Sequence, residues 1–286
     1  MRIAMILTAA MLAAMNVAAM AQENKVSAKP TNLTNPLAVR VMNYGKYENE
    51  AWTHLPSLGV HYIFLPVPAS EKVATVQKQL TESHLKPLVM RGDTDLGRPT
   101  SVEELAGQIA VCEKMGVKHM FLSPKHTGVS KEVACARLRQ VGDIAKQHGV
   151  IVVLETHPDL GLNAEAHLET MQRINHPNVR VNFDTGNITY YNHGRNAVEE
   201  LKKIIDYVAT VELKDHSGKY EDWTFPVLGT GVVDFPAVLK VLEEHHFTGP
   251  VTIEVEGTHG VDMSESQTKQ YVADSVHYVQ SQGKFK

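Results

Sequence analysis

The sequence lacks most of the features that mark specialised classes of protein. Its 286 residues include only two cysteines and no run of Lys or Arg, and the formal net charge is −4. Two cysteines cannot build a disulfide framework, so we expect two free, buried thiols. A chain without a basic tract is a poor candidate for nucleic-acid binding. No Gly-rich phosphate-binding fingerprint follows a predicted strand, which weighs against a dinucleotide-binding fold.

The N-terminus has the composition of a secretory signal. Arg2 provides a short basic start, residues 3–14 are apolar, and Ala19-Met20-Ala21 is a small-x-small cleavage site. The apolar run is too short for a comfortable membrane span, although an uncleaved anchor is the alternative. We therefore predict a signal peptide over 1–21, a flexible polar lead-in over 22–35, and a periplasmic or secreted mature protein that does not associate with the membrane.

Short β-branched runs alternate with helical patterns eight times along the rest of the chain. Such alternation predicts a parallel sheet, and eight units in about 250 residues predict a closed (β/α)8 TIM barrel as a single domain over 36–286. The predicted strands are 37–44, 61–66, 87–91, 118–123, 151–155, 179–184, 208–213 and 251–255. The predicted helices are 48–57, 70–83, 101–115, 130–148, 163–175, 195–206, 235–246 and 264–281.

Four successive strands carry a carboxylate near their C-terminal ends: Glu155, Asp184, Glu212 and Glu254. Parallel strands are buried on both faces, so an ionised carboxylate there is costly unless it is paired or binds a cation. If the four strands converge, the mutual repulsion of these groups would be severe. The pattern predicts a divalent metal ion at the mouth of the barrel.

Side chains alternate along a strand, so residues two positions beyond these carboxylates also point inward. They are His157, Lys214 and Glu256. We expect His157 to contact the substrate, with a structural role as the alternative. Lys214 either offsets the carboxylate charge and holds a developing oxyanion, or forms a structural ion pair with Asp215 or Glu256.

Two further pairs reach the mouth of the barrel by position alone. Lys125 and His126 close the fourth strand, and Arg91 with Asp93 closes the third. Active sites of such barrels lie in the loops that follow the strands, so we expect these residues in the pocket without assigning them a role.

The loop 214–234 is the longest that follows a strand, and loops of this length are uncommon without a function. It contains His216, Trp223, Phe225 and the Gly229-Thr-Gly231 segment. Aromatic rings stack on sugar faces, so we interpret the loop as a lid or a wall of a substrate pocket. A surface loop without a role is the alternative.

Four segments at these strand ends resemble signatures of the xylose-isomerase-like TIM barrels: LETH (154–157), FDTGN (183–187), VELKD (211–215) and IEVEG (253–257). The resemblance covers about residues 36–282. The group includes sugar isomerases and epimerases, inosose dehydratases, hydroxypyruvate isomerases and the endonuclease IV branch. It implies a metal-dependent enzyme, and it leaves the substrate open.

The resemblance also implies roles for individual residues. Metal-ligand positions of the family are occupied by Glu155, Asp184 and Glu254, and Glu155 with Glu254 matches the pair that shuttles the proton in the epimerases. Glu212 departs from the pattern because the family usually has His there, so either Glu212 or His216 completes the ligand set. Asn187 stands where relatives often have His, and it is a candidate substrate contact. An all-oxygen ligand shell favours Mn²⁺ or Mg²⁺ over Zn²⁺.

Together these observations predict an exported isomerase or epimerase that moves a proton next to the carbonyl of a sugar through an enediolate. Sugar phosphates are cytoplasmic, so export favours a free sugar. A lyase or hydratase acting on 3-keto-glycosides or related keto sugars is the first alternative, and a non-catalytic sugar-binding barrel is the second. A nuclease would need more metal-binding histidines and a basic groove.

Overall fold

The computed structural model describes residues 30–286, so the predicted signal peptide lies outside the described residues. Eight parallel strands close into a barrel in sequence order, which confirms the predicted single-domain TIM barrel. The strands are β1 (Leu37–Arg40), β2 (Tyr62–Pro66), β3 (Lys86–Gly92), β4 (His119–Leu122), β5 (Ile151–Glu155), β6 (Val179–Asp184), β7 (Val208–Leu213) and β8 (Val251–Ile253).

Helices surround the barrel and pack on its outer face. They are α1 (Ala51–Ser57), α2 (Val73–Glu82), α3 (Ser101–Lys114), α4 (Lys131–Gln147), α5 (Ala164–Ile174), α6 (Thr185–Tyr191), α7 (Ala197–Ile204), α8 (Phe235–Glu244) and α9 (Glu265–Gln282). Within residues 30–286, no helix has the length and apolar character needed to cross a membrane. Both cysteines are buried and free, as expected.

The inside of the barrel is divided into an apolar half and a polar half. Buried inward residues from β1 to β5 form a small apolar cluster of Ala38, Phe64, Val89, Phe121 and Val153. On β6, β7 and β8 the buried residues include Asn182, Thr210 and Thr252, and the Thr210 hydroxyl donates to Asn182 Oδ1 at 2.6 Å. Three of the four predicted carboxylates, Asp184, Glu212 and Glu254, lie at the ends of these polar strands, and Glu155 lies at the end of the neighbouring β5.

The start of the barrel differs from the sequence prediction in two ways. Residues 30–35, which we expected to be flexible, pack on the barrel because Leu33 is buried and Asn35 donates to the carbonyl groups of Phe247 and Gly249. Strand β1 ends at Arg40 rather than at residue 44. Irregular 3-10 turns follow over Val41–Glu50, and Gly45 takes the left-handed φ of 52° that glycine tolerates.

The 214–234 loop is tied to the barrel at both ends. Its Thr224–Phe225 segment pairs in antiparallel fashion with Gly257–Thr258, which follows β8. The buried Asp215 carboxylate accepts N–H groups from Gly229 at 2.9 Å and Gly231 at 2.8 Å. A Cβ atom at Gly231 would lie 2.3 Å from Asp215 Oδ1, so this close approach requires glycine.

Candidate active site

The four predicted carboxylates meet at the C-terminal mouth of the barrel. Glu155, Asp184, Glu212 and Glu254 are all buried, and each offers one oxygen such that these oxygens lie within 4.8 Å of one another. Parallel register produces this convergence, because it pairs Asp184 on β6 with Glu212 on β7. Asp184 also begins helix α6, where its Oδ1 accepts the N–H groups of Gly186 and Asn187 at 2.9 Å each.

A buried arginine that the sequence analysis did not identify lies among these carboxylates. Arg40, at the end of β1, places its Nε 2.7 Å from Glu212 Oε1, and its Nη1 contacts Glu254. Its guanidinium carbon lies 4.6 Å from the ring centres of both Phe64 and Phe121. Arg40 therefore holds two of the four carboxylates through ion pairs and contacts the apolar half of the barrel through cation–π interactions.

Lys214 is the second buried cation at the site. Its Nζ lies 3.1 Å from Glu254 Oε2 and 3.9 Å from Asp184 Oδ2, and it contacts Glu256. Burial alone would lower the pKa of Lys214, but Asp184 and Glu256 raise it above the ordinary value. Lys214 is therefore a stable positive charge. Of the two structural ion pairs considered as its alternative role, the described residues contain the one with Glu256 and not the one with Asp215.

Burial also governs the acidity of the deeper carboxylates. It raises the pKa of Asp184 to about 7, with Glu212 adding to the shift and Lys214 opposing it. The pKa of Glu212 is likewise raised by burial, and Arg40 opposes that shift. The cluster is thus costly to ionise completely with its two internal cations alone.

The donor set fits a divalent cation. All four side chains offer oxygen, and two of their buried oxygens, Asp184 Oδ2 and Glu254 Oε2, have no hydrogen-bond partner. The carboxylates of this cluster outnumber the cations of Arg40 and Lys214, and Lys214 also contacts Glu256, so negative charge remains that a divalent ion would balance. Glu212 differs from the other three because its oxygens already contact Arg40, Asn182 and Thr252.

A cavity of about 400 Å³ opens above the cluster, within the range of small-molecule sites. Of the predicted substrate contacts, six line it: Lys125, His157, Asn187, Lys214, Trp223 and Glu256. Glu155 and Glu254 also face this cavity, whereas Asp184 and Glu212 lie beneath it. The walls include residues that the sequence analysis did not identify: Met42, Phe121, Ser123, Tyr190 and Tyr191.

The two remaining predicted contacts are engaged elsewhere. His216 is buried, with Nδ1 3.0 Å from the Thr189 hydroxyl and Nε2 2.9 Å from the carbonyl oxygen of Asp222. Burial lowers the pKa of His216, so its neutral ring anchors the 214–234 loop. His126 does not line the cavity, and its Nε2 lies 2.5 Å from Asp159 Oδ1. Neither the substrate role of His126 nor the alternative ligand role of His216 is favoured by these contacts.

Two of the lining residues are held in place by neighbours. Asn187 donates from Nδ2 to the carbonyl oxygen of Thr156 at 2.9 Å and accepts from Lys214 Nζ at 3.2 Å. His157 donates from Nδ1 to the carbonyl oxygen of Pro158 at 2.9 Å, which leaves its Nε2 free of any protein hydrogen bond in residues 30–286. His157 therefore has one ring nitrogen available for a ligand in the cavity.

A closed parallel barrel with a buried carboxylate cluster at its C-terminal mouth defines a class of TIM barrel built for polar small-molecule chemistry. The sequence model of the xylose isomerase-like TIM barrel family matches residues 55–281, and the chain belongs to this family.

Relatives and solved structures agree with this assignment. The chain is 30% identical to an inosose dehydratase of Clostridium botulinum over 42% of this chain and 45% of that protein. It is 25% identical to an inosose isomerase of Bacillus licheniformis over 65% of this chain and 73% of that protein. It therefore spans less than half of the dehydratase.

A solved structure has the same fold. A xylose isomerase-like barrel of Mycobacterium smegmatis in complex with magnesium superposes with a TM-score of 0.70 at 16% identity, covering 87% of this chain and 97% of that one. These relatives are enzymes of small sugar-like compounds, and this chain has the fold and the buried acidic cluster of an enzyme of the same superfamily.

Proposed function

We propose that the protein is a metal-dependent isomerase or epimerase that transfers a proton next to the carbonyl of a keto sugar. The observation that carries this proposal is that Glu155 and Glu254 face one cavity while belonging to the same cluster of carboxylates. Two carboxylates on one cavity can take a proton from a carbon atom and return it on another face or carbon.

The residues that would hold the ion are Glu155, Asp184, Glu212 and Glu254, and an oxygen-only set suits Mg²⁺ or Mn²⁺. When bound, a divalent ion would polarise the carbonyl and make the neighbouring carbon more acidic. Structures of the same fold were solved with magnesium in one case and zinc in another, which supports a divalent ion, and the oxygen-only donor set carries the choice of Mg²⁺ or Mn²⁺.

Glu254 and Glu155 have different surroundings, which suit them to different roles in proton transfer. Glu254 lies beside Arg40 and Lys214, so it keeps its negative charge at little cost. In residues 30–286 no cation lies within 4 Å of Glu155, whose hydrogen-bond contact is Asn187 Nδ2 at 3.4 Å. Glu155 can therefore accept a proton without breaking an ion pair. Lys214 lines the cavity, and its buried positive charge can stabilise the developing oxyanion of the enediolate electrostatically.

Proton exchange at carbon tests this function directly. The protein is incubated in D₂O with Mg²⁺ or Mn²⁺ and a panel of keto sugars, and the loss of C–H signals is followed by NMR. Glu155→Gln and Glu254→Gln should each abolish exchange, whereas Glu82→Gln on the exposed face of α2 should not. Activity like that of the wild type in either pocket variant would refute the two-carboxylate mechanism.

A lyase is the second candidate, and the similarity to inosose dehydratases favours it. The same proton removal gives elimination when the substrate carries a leaving group on the next carbon. The same incubation separates the two candidates when ultraviolet absorbance is recorded as well, because a lyase forms an unsaturated product that absorbs in the ultraviolet. An isomerase or epimerase conserves the composition of the substrate. If no divalent ion is retained after purification or binds on titration, the non-catalytic sugar-binding alternative replaces both.

A further inference from the structure

The cavity above the carboxylate cluster has two walls of opposite charge. The carboxylates lie on the side formed by β5 to β8, whereas three cations lie on the side formed by β1, β3 and β4: Arg40, Arg91 and Lys125. Only Arg40 of these three takes part in the ion pairs of the cluster. Arg91 and Lys125 line the same cavity without forming an ion pair with the cluster.

Strand geometry places Arg91 inside the barrel mouth rather than on the outer surface. Val89 belongs to the buried inward cluster, and side chains two positions apart on a strand share a face. The same alternation on β4 runs from the inward Phe121 to Ser123 and on to Lys125, and all three line the cavity. Arg91 and Lys125 therefore face the space that a substrate would fill.

Neither of these two cations is neutralised by the protein. In residues 30–286, no carboxylate oxygen lies within 4 Å of the Arg91 guanidinium or the Lys125 ammonium, and their side chains donate no hydrogen bond. By contrast, the nearby Asp95 carboxylate is used by the backbone N–H groups of Gly97 and Thr127. Arg91 is half-buried and Lys125 is exposed, and both line the cavity with donors that the described residues do not engage.

Arg40 adds a third unused donor on the same wall. Its side chain is only 6% exposed, yet Nη2 is buried without a hydrogen-bond partner. A buried donor that is left unpaired is destabilising, so Nη2 is a candidate for pairing with a ligand.

We propose that the substrate carries a carboxylate, so that the protein acts on a sugar acid or a related keto acid. The carboxylate would pair with Arg91 and Lys125, since the planar guanidinium matches a carboxylate through two parallel hydrogen bonds. Its carbonyl end would then face Glu155 and Glu254 across the cavity. This assignment rests on the proposed function for the carbonyl end, and it adds the chemical class of the substrate.

Binding of unreactive sugars tests the proposal without relying on turnover. D-glucuronate and D-glucose differ mainly in one carboxylate, as do D-galacturonate and D-galactose. Calorimetric titration of the Mg²⁺-loaded protein should show each uronate binding at least about tenfold more tightly than its neutral partner, as expected for a charge-assisted hydrogen-bonded pair. Equal affinities within each pair would overturn the proposal.

Matched variants locate the effect. Arg91→Gln and Lys125→Gln should each reduce the preference for the uronate, and Arg91→Lys should restore part of it because the charge returns. Lys118→Gln removes an exposed cation just before β4, at the opposite end of the barrel, and should leave the preference unchanged. A preference that survives in the Arg91→Gln/Lys125→Gln double variant would refute the assignment of these residues.

Two further measurements distinguish a carboxylate substrate from a phosphate ester and from a failure of the proposed function. Tighter binding of D-glucose 6-phosphate than of D-glucuronate would overturn the carboxylate in favour of a phosphate ester. Exchange in D₂O with neutral keto sugars reports on the proposed function alone. Loss of uronate preference with retained exchange refutes only the inference, whereas uronate preference without exchange on any keto sugar or keto acid refutes the proposed function.

Discussion

Replacement of Arg40 by Met is the most direct test of how the site tolerates its own charge. The guanidinium lies between the Glu212 and Glu254 carboxylates, and the Glu212 side chain has no exposure to solvent. Met preserves most of the length and the apolar contact with the Phe64 and Phe121 rings, but it removes the charge. The variant therefore isolates the electrostatic contribution from the packing contribution.

The expected loss of stability follows from the burial of these groups. Removal of one partner from a buried ion pair leaves an uncompensated charge and costs about 3–5 kcal/mol. Since Arg40 opposes the rise in the pKa of Glu212 caused by burial, its removal should raise that pKa further. A carboxylate with a raised native pKa is penalised at high pH, so the loss should be largest near pH 8 and shrink as the pH falls through that pKa.

Urea unfolding followed by circular dichroism, in the presence of EDTA, measures the loss. Arg98→Met is the matched control, because Arg98 forms an exposed ion pair with Glu104, and exposed ion pairs contribute little to stability. The double variant Arg40→Met/Glu212→Gln should recover stability relative to Arg40→Met alone, with a coupling energy of about 1–3 kcal/mol. A loss within about 1 kcal/mol of the control, or strictly additive single variants, would show that Arg40 does not compensate the cluster.

Further predictions concern other parts of the chain. Trp223→Ala should raise KM and lower kcat/KM for a keto sugar while divalent-ion affinity stays constant. The reason is that this half-exposed ring lines the cavity away from the cluster. Unchanged kinetics would mean that the loop does not bind substrate. Burial lowers the pKa of His167 to about 3, so the stability from its neutral form is complete above about pH 6.5 and is lost as the pH falls toward 3. His167→Gln should therefore flatten the decline of urea midpoints below pH 6.5, and an unchanged decline would contradict this. Asp215→Ala removes an acceptor of four backbone N–H groups and should make the 214–234 loop sensitive to limited proteolysis, an effect that equal digestion rates would exclude. N-terminal sequencing of the native protein should find a mature chain that begins near Gln22, whereas an intact Met1 on cytosolic protein would contradict export.

The fold and the carboxylate cluster could be predicted because both follow from local patterns. Alternating β-branched runs and helical segments define the barrel, and a parallel sheet brings residues at the C-terminal ends of its strands together. Glu155, Asp184, Glu212 and Glu254 each stand at such an end, so their convergence required no knowledge of distant contacts.

Arg40 could not be predicted as a residue of the site because the residues it contacts are distant in sequence. It follows a four-residue strand that we extended to residue 44, and a single arginine in an apolar run has no distinctive pattern. Its alternation with Ala38 was the one available signal, since Ala38 is inward and buried. His216 shows the opposite error, because its proximity to Glu212 in sequence indicated the pocket while its ring turns to Thr189 and Asp222.

Arg40 also explains how the barrel accommodates Glu212 at a position where the family usually has His. Exchange of a neutral imidazole for a carboxylate adds one negative charge to a buried site, which would be severe without compensation. Arg40 lies 2.7 Å from Glu212 and supplies one positive charge. The net charge of the cluster is therefore the same as that of three carboxylates and a neutral histidine. Asp184 Oδ2 and Glu254 Oε2 have no hydrogen-bond partner, although Lys214 Nζ lies near both, and they remain available to a cation. Because Arg40 offsets the charge of Glu212, the departure at Glu212 is no argument that metal binding has been lost.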